Sequence, residues 1–336
     1  MEFQIQLSVA FRPVNPRLTG LRKRGYRVSG VMFAVLSTLC YSLSYVVLRR
    51  GQSEAAITDA GLLPVLIVST LLLDGFWLIN YLTHQQMLLS VLHAPLSSFL
   101  YSLLSGILGT FLGRYFLYRA IAAVGATRGI IVKSLSPIFT MAIAFLWLRE
   151  QPDIGQLVGI GLIGLSIGLL FHEQKIKPLR GMTWSFFTSG MSLAFFAATF
   201  QGIGHSARKL AVLHNFPSLT AAAMDCTVAT IVYFLVRLIY PPLQNHWSSY
   251  PWRQTGAYFA TAGFLSAVGI LFFFAASQNI PISTVAAISG AEPLLVTLFS
   301  ILFLSKLESF SAYSVFAACL GTLGILTIAI GPHLFP

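Results

Sequence analysis

Charge is what this sequence has least of. Asp, Glu, Lys and Arg together make up 9% of its 336 residues, and only 10 are acidic, where a soluble domain carries about a quarter. So few ionic groups cannot solvate the surface of a soluble fold, and lipid must cover most of it. Cysteine is scarce as well. Cys40, Cys226 and Cys319 each fall inside an apolar segment, which argues for membrane-buried thiols over a disulfide framework or metal chemistry. No phosphate loop of the ATPase kind is present; the nearest candidate, Gly125 to Ser134, has the wrong spacing. The seven histidines lie mostly at segment ends or in loops and build no cluster with ligand spacing, so neither a metal nor another cofactor is expected. No serine sits in a nucleophile elbow, and the chain does not read as an enzyme. The alternating ten-residue patterns of a membrane β-barrel are also missing.

What is abundant is apolar sequence, 56% of the chain, with a mean hydropathy of +0.78. About 20 apolar residues cross a bilayer as a helix. Ten segments qualify: 28–48, 60–82, 98–120, 126–148, 153–171, 181–202, 218–240, 255–277, 282–304 and 311–331. The first is already of spanning length, so no cleavable signal peptide is expected. Connectors such as Gln151-Pro152-Asp153 and Pro241-Pro242-Leu243-Gln244-Asn245 are too short for a soluble domain. The net charge of +11 forms no stripe that would suggest nucleic acid. Six basic residues (Arg12, Arg17, Arg22, Lys23, Arg24, Arg27) crowd the tail before the first segment. That placement predicts cytoplasmic termini by the positive-inside rule and an inner (plasma) membrane protein, most simply a bacterial one. A basic, acid-poor tail also fits an organellar transit segment, which stays open.

The ten segments form two sets of five. Shifting 106–170 by 156 residues gives eight identities in 65, including Gly113 with Gly269, Phe116 with Phe272 and Pro137 with Pro293. A shift of 151 pairs Gly51 with Gly202 and Asp74 with Asp225. Mid-segment prolines and lone intramembrane acids that recur at repeat positions argue for an internal duplication. Five is odd, so the second copy should lie upside-down relative to the first, an arrangement common in secondary transporters. The expected fold is therefore an all-α polytopic membrane protein, ten transmembrane helices in two inverted five-helix repeats. Its expected parts are a basic tail (1–27), a first repeat (28–171), a linker (172–180) and a second repeat (181–331).

These features resemble the drug/metabolite transporter superfamily, specifically EamA-type members. The resemblance rests on Tyr118-Arg119-Ala120-Ile121, on Pro137, and on Leu146-Trp147-Leu148-Arg149-Glu150. In the second copy it rests on Glu292-Pro293 and on Leu302-Phe303-Leu304-Ser305-Lys306-Leu307-Glu308. The family usually closes this helix with leucine, glycine and glutamate; here Arg149 replaces the glycine, and the second acid is displaced two places to Glu308. The resemblance implies a ten-helix basket around a central cavity with both termini cytoplasmic.

A charge at the bilayer centre costs upward of about 2.5 kcal/mol, so each one needs a reason. Glu292 lies ten residues into its segment beside Pro293, which clashes with the Ser289 carbonyl and should kink the helix. Irregular backbone within a membrane is tolerated where it lines a cavity. Glu292 is thus a proton-titrating or cation-contacting candidate, or alternatively a structural acid bonded to a neighbouring helix. Lys133, four residues before Pro137, could face an anionic substrate group or pair with Glu292. Arg114 shares a helical face with Tyr118 and adjoins Tyr115, and the three could line a cavity; equally, Arg114 could snorkel to the interface. Asp74 and Asp225 are candidates for ion coupling or for bonding to adjacent helices. Arg49, Arg50, Arg119, Arg128, Arg208, Lys209 and Arg237 read as headgroup anchors. Trp147 and Trp252 read as interfacial belt residues, while Trp77 and Trp184 lie within segments. Gly155/Gly159 and Gly164/Gly168 have the spacing of close helix–helix approach.

The leading expectation is a secondary active transporter of a small polar metabolite, most simply an amino acid or related zwitterion, working by alternating access around a midplane cavity. Its partners would be that substrate, the lipid bilayer and protons, with a homodimer left open. The competing expectation is a non-transporting membrane scaffold or a subunit of a lipid-linked-sugar flippase.

Overall fold

The computed structural model describes residues 20–54, 59–83, 91, 93–148, 154–176, 190–212, 216–240, 251–280, 282–307 and 311–334. Arg12, Arg17, Arg149, Glu150, Trp184, Glu308 and the connectors 151–153, 177–180 and 241–245 lie outside them. The described residues are helical apart from short turns and connectors, with no strand among them. This is what lipid demands of a chain too apolar for water, because a helix satisfies its own backbone polar groups. The first half carries α1 (Gly20–Glu54), α2 (Leu62–Thr83), α3 (Leu96–Ser105), a π-helical turn (Gly106–Leu112), α4 (Gly113–Val124), α5 (Ala126–Lys133), α6 (Ser136–Leu148) and α7 (Ile154–Ile176). The second carries α8 (Gly190–Ala211), α9 (Ser218–Ile239), α10 (Trp252–Asn279), α11 (Ile282–Ser289), α12 (Glu292–Leu304) and α13 (Ala312–Leu334).

Five helical stretches among the described residues are long and apolar enough to cross a membrane: Ser29–Glu54, Leu62–Thr83, Leu96–Val124, Ser218–Ile239 and Trp252–Asn279. The expected fourth and ninth segments instead divide into two helices each, none of spanning length alone. The expected linker is helical at its start, since α7 runs on to Ile176. Gly125, at φ 90°, turns the chain sharply between α4 and α5 in a conformation that a side chain would strain.

Apolar side chains lie on the exterior as well as in the core, and polar ones are drawn inward. Leu71, Leu82, Leu157, Leu302 and Phe303 are exposed, whereas Ser37, Ser44, Ser69, Thr110 and Ser166 are buried. Lipid supplies no hydrophobic drive between helices, so small and polar side chains hold them together. Ser37 and Ser44 of α1 donate to the Gly269 and Ala262 carbonyls of α10 at 2.8 Å. Ser69 of α2 donates to the Gly263 carbonyl at 2.9 Å. The halves are interleaved: α1 packs mainly on α10, α11 and α12, and α8 correspondingly on α3, the π turn, α4, α5 and α6. The second helices, α2 and α9, pack on each other, and so do the fifth, α7 and α13.

Glycine supplies the closest approaches. A Cβ on Gly204 would overlap the backbone of Gly109, and one on Gly324 would sit 2.8 Å from the Gly159 carbonyl oxygen. Gly159 thus mediates the helix contact its spacing suggested. Gly164 and Gly168 do not, because a Cβ on either meets nothing within 4 Å; that pair lies on an open face of α7.

Candidate functional site

The two broken segments are the same device used twice. Each has a first piece of 8 residues and a second of 13 (α5 with α6, α11 with α12). The 156-residue shift that aligns the sequences carries each boundary onto its counterpart. Pro137 and Pro293 each stand second in their new helix, where the missing N–H costs nothing and the fixed φ suits a helix start. The expected kink is therefore a complete break. Lys133 is the last residue of α5 and Glu292 the first of α12. A cation at a helix C-terminus and an acid at an N-terminus both complement the helix dipole.

Because α5 packs against α12, the two charges meet. Lys133 Nζ and Glu292 Oε2 form an ion pair, each residue 5% exposed. Lys133 Nζ also lies 3.4 Å from Tyr45 Oη and 5.3 Å from the centre of its ring. Two small adjoining cavities flank this pair. One, of ≈ 30 Å³, runs past Ser134, Ser136, Pro137 and Thr140. The other, of ≈ 20 Å³, is bounded by Tyr41, Tyr45, Arg114, Gln201 and Arg208. Both are also lined by Lys133, His205, Phe273, Ser289 and Glu292. By volume each has room for about one or two water molecules, not for a metabolite.

Arg208 is the main correction to the sequence reading. It is not a headgroup anchor but a buried group, 4% exposed, whose Nε and a terminal nitrogen lie 3.4 Å from the two Asp225 carboxylate oxygens. Asp225 is fully buried; Ser105 Oγ donates to its Oδ1 at 2.5 Å and Thr110 Oγ1 donates to its Oδ2. Arg208 donates in turn to Thr110 Oγ1 at 2.7 Å and stands 5.4 Å from the Phe273 ring centre. Ser105 and Thr110 lie at and within the π turn, a helix irregularity frequent at functional sites. Lys209 is no headgroup anchor either: its ammonium donates to the Ser277 and Ile280 carbonyls at 2.6 and 3.3 Å, closing the C-terminus of α10.

The remaining candidates separate. Arg114 is 5% exposed and faces the second cavity. Tyr118 is fully buried in the main apolar core, and its carbonyl accepts from Gln52 Nε2 at 3.0 Å. Tyr115 is half-buried, accepts a hydrogen bond from Arg119, and packs on Phe111 and Phe116. Neither tyrosine lines the two cavities. Half-buried Asp74 accepts from Thr227 Oγ1 at 2.9 Å across the α2–α9 contact. Trp77 bonds Thr220 at 3.1 Å along the same seam, and Trp252 opens α10 as an exposed residue. Tyr41, Tyr45, Gln201 and His205 were not anticipated, and Ser289 was noted for its carbonyl alone; Tyr45 and His205 each lie one turn from an arginine, Arg49 and Arg208, while Tyr41 and Gln201 carry no such signal.

An apolar exterior, charges buried in the interior and paired helix breaks define an integral membrane protein built from two like halves. The chain belongs to the EamA-like transporter family, whose profile matches residues 28–172 and 188–330. A solved structure described only as "Crystal structure of protein" has the same fold, with a TM-score of 0.62 at 16% identity over 90% of this chain and 99% of that one. No curated protein matches the sequence.

Proposed function

We propose that the protein is a secondary active transporter that carries a small polar metabolite, an amino acid or related zwitterion, by alternating access. In this reading ten spans form two inverted five-helix repeats, with α3–α4, α5–α6 and α11–α12 each counting as one crossing. The basic tail holds the termini in the cytoplasm. The reciprocal packing of α1 on the second half and α8 on the first supports such a twofold relation.

One observation carries the proposal: the Lys133–Glu292 ion pair joins the helix break of one half to that of the other, beside a cavity. Parting the halves separates the pair, and closing them remakes it, so a bound solute that engages either charge biases the equilibrium. Cavities of ≈ 20 and ≈ 30 Å³ correspond to a closed form from which solute is shut out. Asp225 is ringed by donors and acts as an anchor. Glu292 has fewer partners and lines both cavities, whereas Asp74 lies on the α2–α9 seam away from them. Substrate exchange by purified protein in liposomes tests this reading. Glu292→Gln and Lys133→Ala should each abolish exchange of solutes that the parent carries. Unchanged exchange in both would remove the site. A chain that exchanges no solute but purifies with a stoichiometric partner would be a scaffold or flippase subunit instead.

A further inference from the structure

The charges around the second cavity do not balance. Lys133 is matched by Glu292, and Arg208 by Asp225. Arg114 is matched by nothing: both terminal guanidinium nitrogens are buried without a hydrogen-bond partner, and no carboxylate pairs with it among the described residues. It is nonetheless 5% exposed and held at the cavity wall. A guanidinium cannot escape burial by losing its proton, and an unpaired buried charge is strongly unfavourable. Native interiors satisfy their buried polar groups, so an orphan beside a void points to a missing partner.

The chemistry of that partner follows from the donor. A guanidinium presents two parallel N–H groups that match the two oxygens of a carboxylate, a fit a lysine does not reproduce. We infer that Arg114 is the carboxylate-binding group of the carrier, and that its solutes carry a carboxylate supplying the negative charge this cavity lacks. The inference rests on the transport reading above and adds a fixed polarity to it. Glu292 is the acid lining either cavity among the described residues, so the ammonium of an amino acid would lie toward Glu292 and its carboxylate toward Arg114.

The test uses full-length protein with a matched panel: free amino acids, their carboxamides, the corresponding acids without the amine, and inorganic phosphate. Thermal stabilisation in detergent reads binding, and counterflow in liposomes reads transport. The carboxylate-bearing compounds should stabilise the protein, and the carboxamides and phosphate should not. Arg114→Gln should weaken carboxylate binding by about 10- to 100-fold, as expected for lost hydrogen bonds to a charged group, and Arg114→Lys should retain part of it. Without ligand, Arg114→Gln should melt at or above the temperature of the parent, because it deletes an orphan charge; a purely structural arginine would show a clear drop. Wild-type carboxylate affinity in Arg114→Gln, equal binding of carboxamides or phosphate, a silent carboxylate panel, or such a drop would each overturn the inference. Counterflow of solutes indifferent to Arg114 would leave the carrier reading intact while removing this one. Arg114-dependent binding without any counterflow would do the reverse.

Discussion

Arg208–Asp225 and Lys133–Glu292 are both buried ion pairs, and they use similar residues to opposite ends. Arg208–Asp225 joins α8 to α9 within the second half and is tied to the first half by Ser105 and Thr110. Lys133–Glu292 bridges the halves and, among the described residues, has only the Tyr45 hydroxyl as a further bonded neighbour. A charge pair wrapped in extra donors resists separation, because every lone pair given up must find a replacement in a dry interior. A charge pair between two helix ends, with water-sized voids beside it, can open at lower cost. The first arrangement suits an anchor, the second a contact that is made and broken.

Removing one member of the anchor should do the greatest damage. Asp225→Ala leaves Arg208 buried and unmatched, and should cost about 3–5 kcal/mol of stability in a denaturant titration of the reconstituted protein. The comparison is sharpened by double replacement with apolar residues, which for a simple buried pair is often neutral or better. Lys133→Met with Glu292→Leu should recover stability to within about 1 kcal/mol of the parent while transport stays lost. Arg208→Met with Asp225→Leu should not recover, since the buried Thr110 hydroxyl then loses both the acceptor Asp225 and the donor Arg208. Equal recovery of both doubles would erase the distinction between anchor and gate.

A smaller effect probes the frame of the anchor. Gly204→Ala pushes a methyl group into the backbone of Gly109, beside Thr110, and should cost about 1–3 kcal/mol. Gly164→Ala, facing open space, should leave the same titration unchanged. Smallest is Thr227→Val, which takes the single hydroxyl from Asp74 and should cost about 0.6 kcal/mol, the usual size of a hydrogen bond between membrane helices.

The helical class and a distortion at Pro137 and Pro293 were legible in the sequence, though not the full break, and pairing with Glu292 was one of the two roles it offered Lys133, because proline and intramembrane charge each have few physical explanations. Arg208 was not. Hydropathy falls after Gly202, which suggested a segment ending there, yet α8 continues to Ala211. Its polar end is enclosed by the π turn, α9 and α10 rather than by lipid, and hydropathy does not distinguish the two surroundings. Tyr118 was placed with Arg114 by its i, i+4 spacing and Tyr115 by adjacency alone. Neighbouring side chains, not periodicity, decided the outcome, as Tyr115 turned to Arg119 and Tyr118 into the apolar core. Gly164 and Gly168 show the same limit, since spacing names a face but not what lies against it.

The interleaving of the halves also governs how the protein is made. The first helix is synthesised long before residues 252–304, which supply its principal neighbours. At roughly 5–20 residues per second, the ribosome takes on the order of ten seconds to bridge that gap. Throughout it, the hydroxyls of Ser37 and Ser44 lack the carbonyls that later receive them. Neither half can mature ahead of the other, and the nascent chain stays open to quality-control proteases until its last helices enter the bilayer.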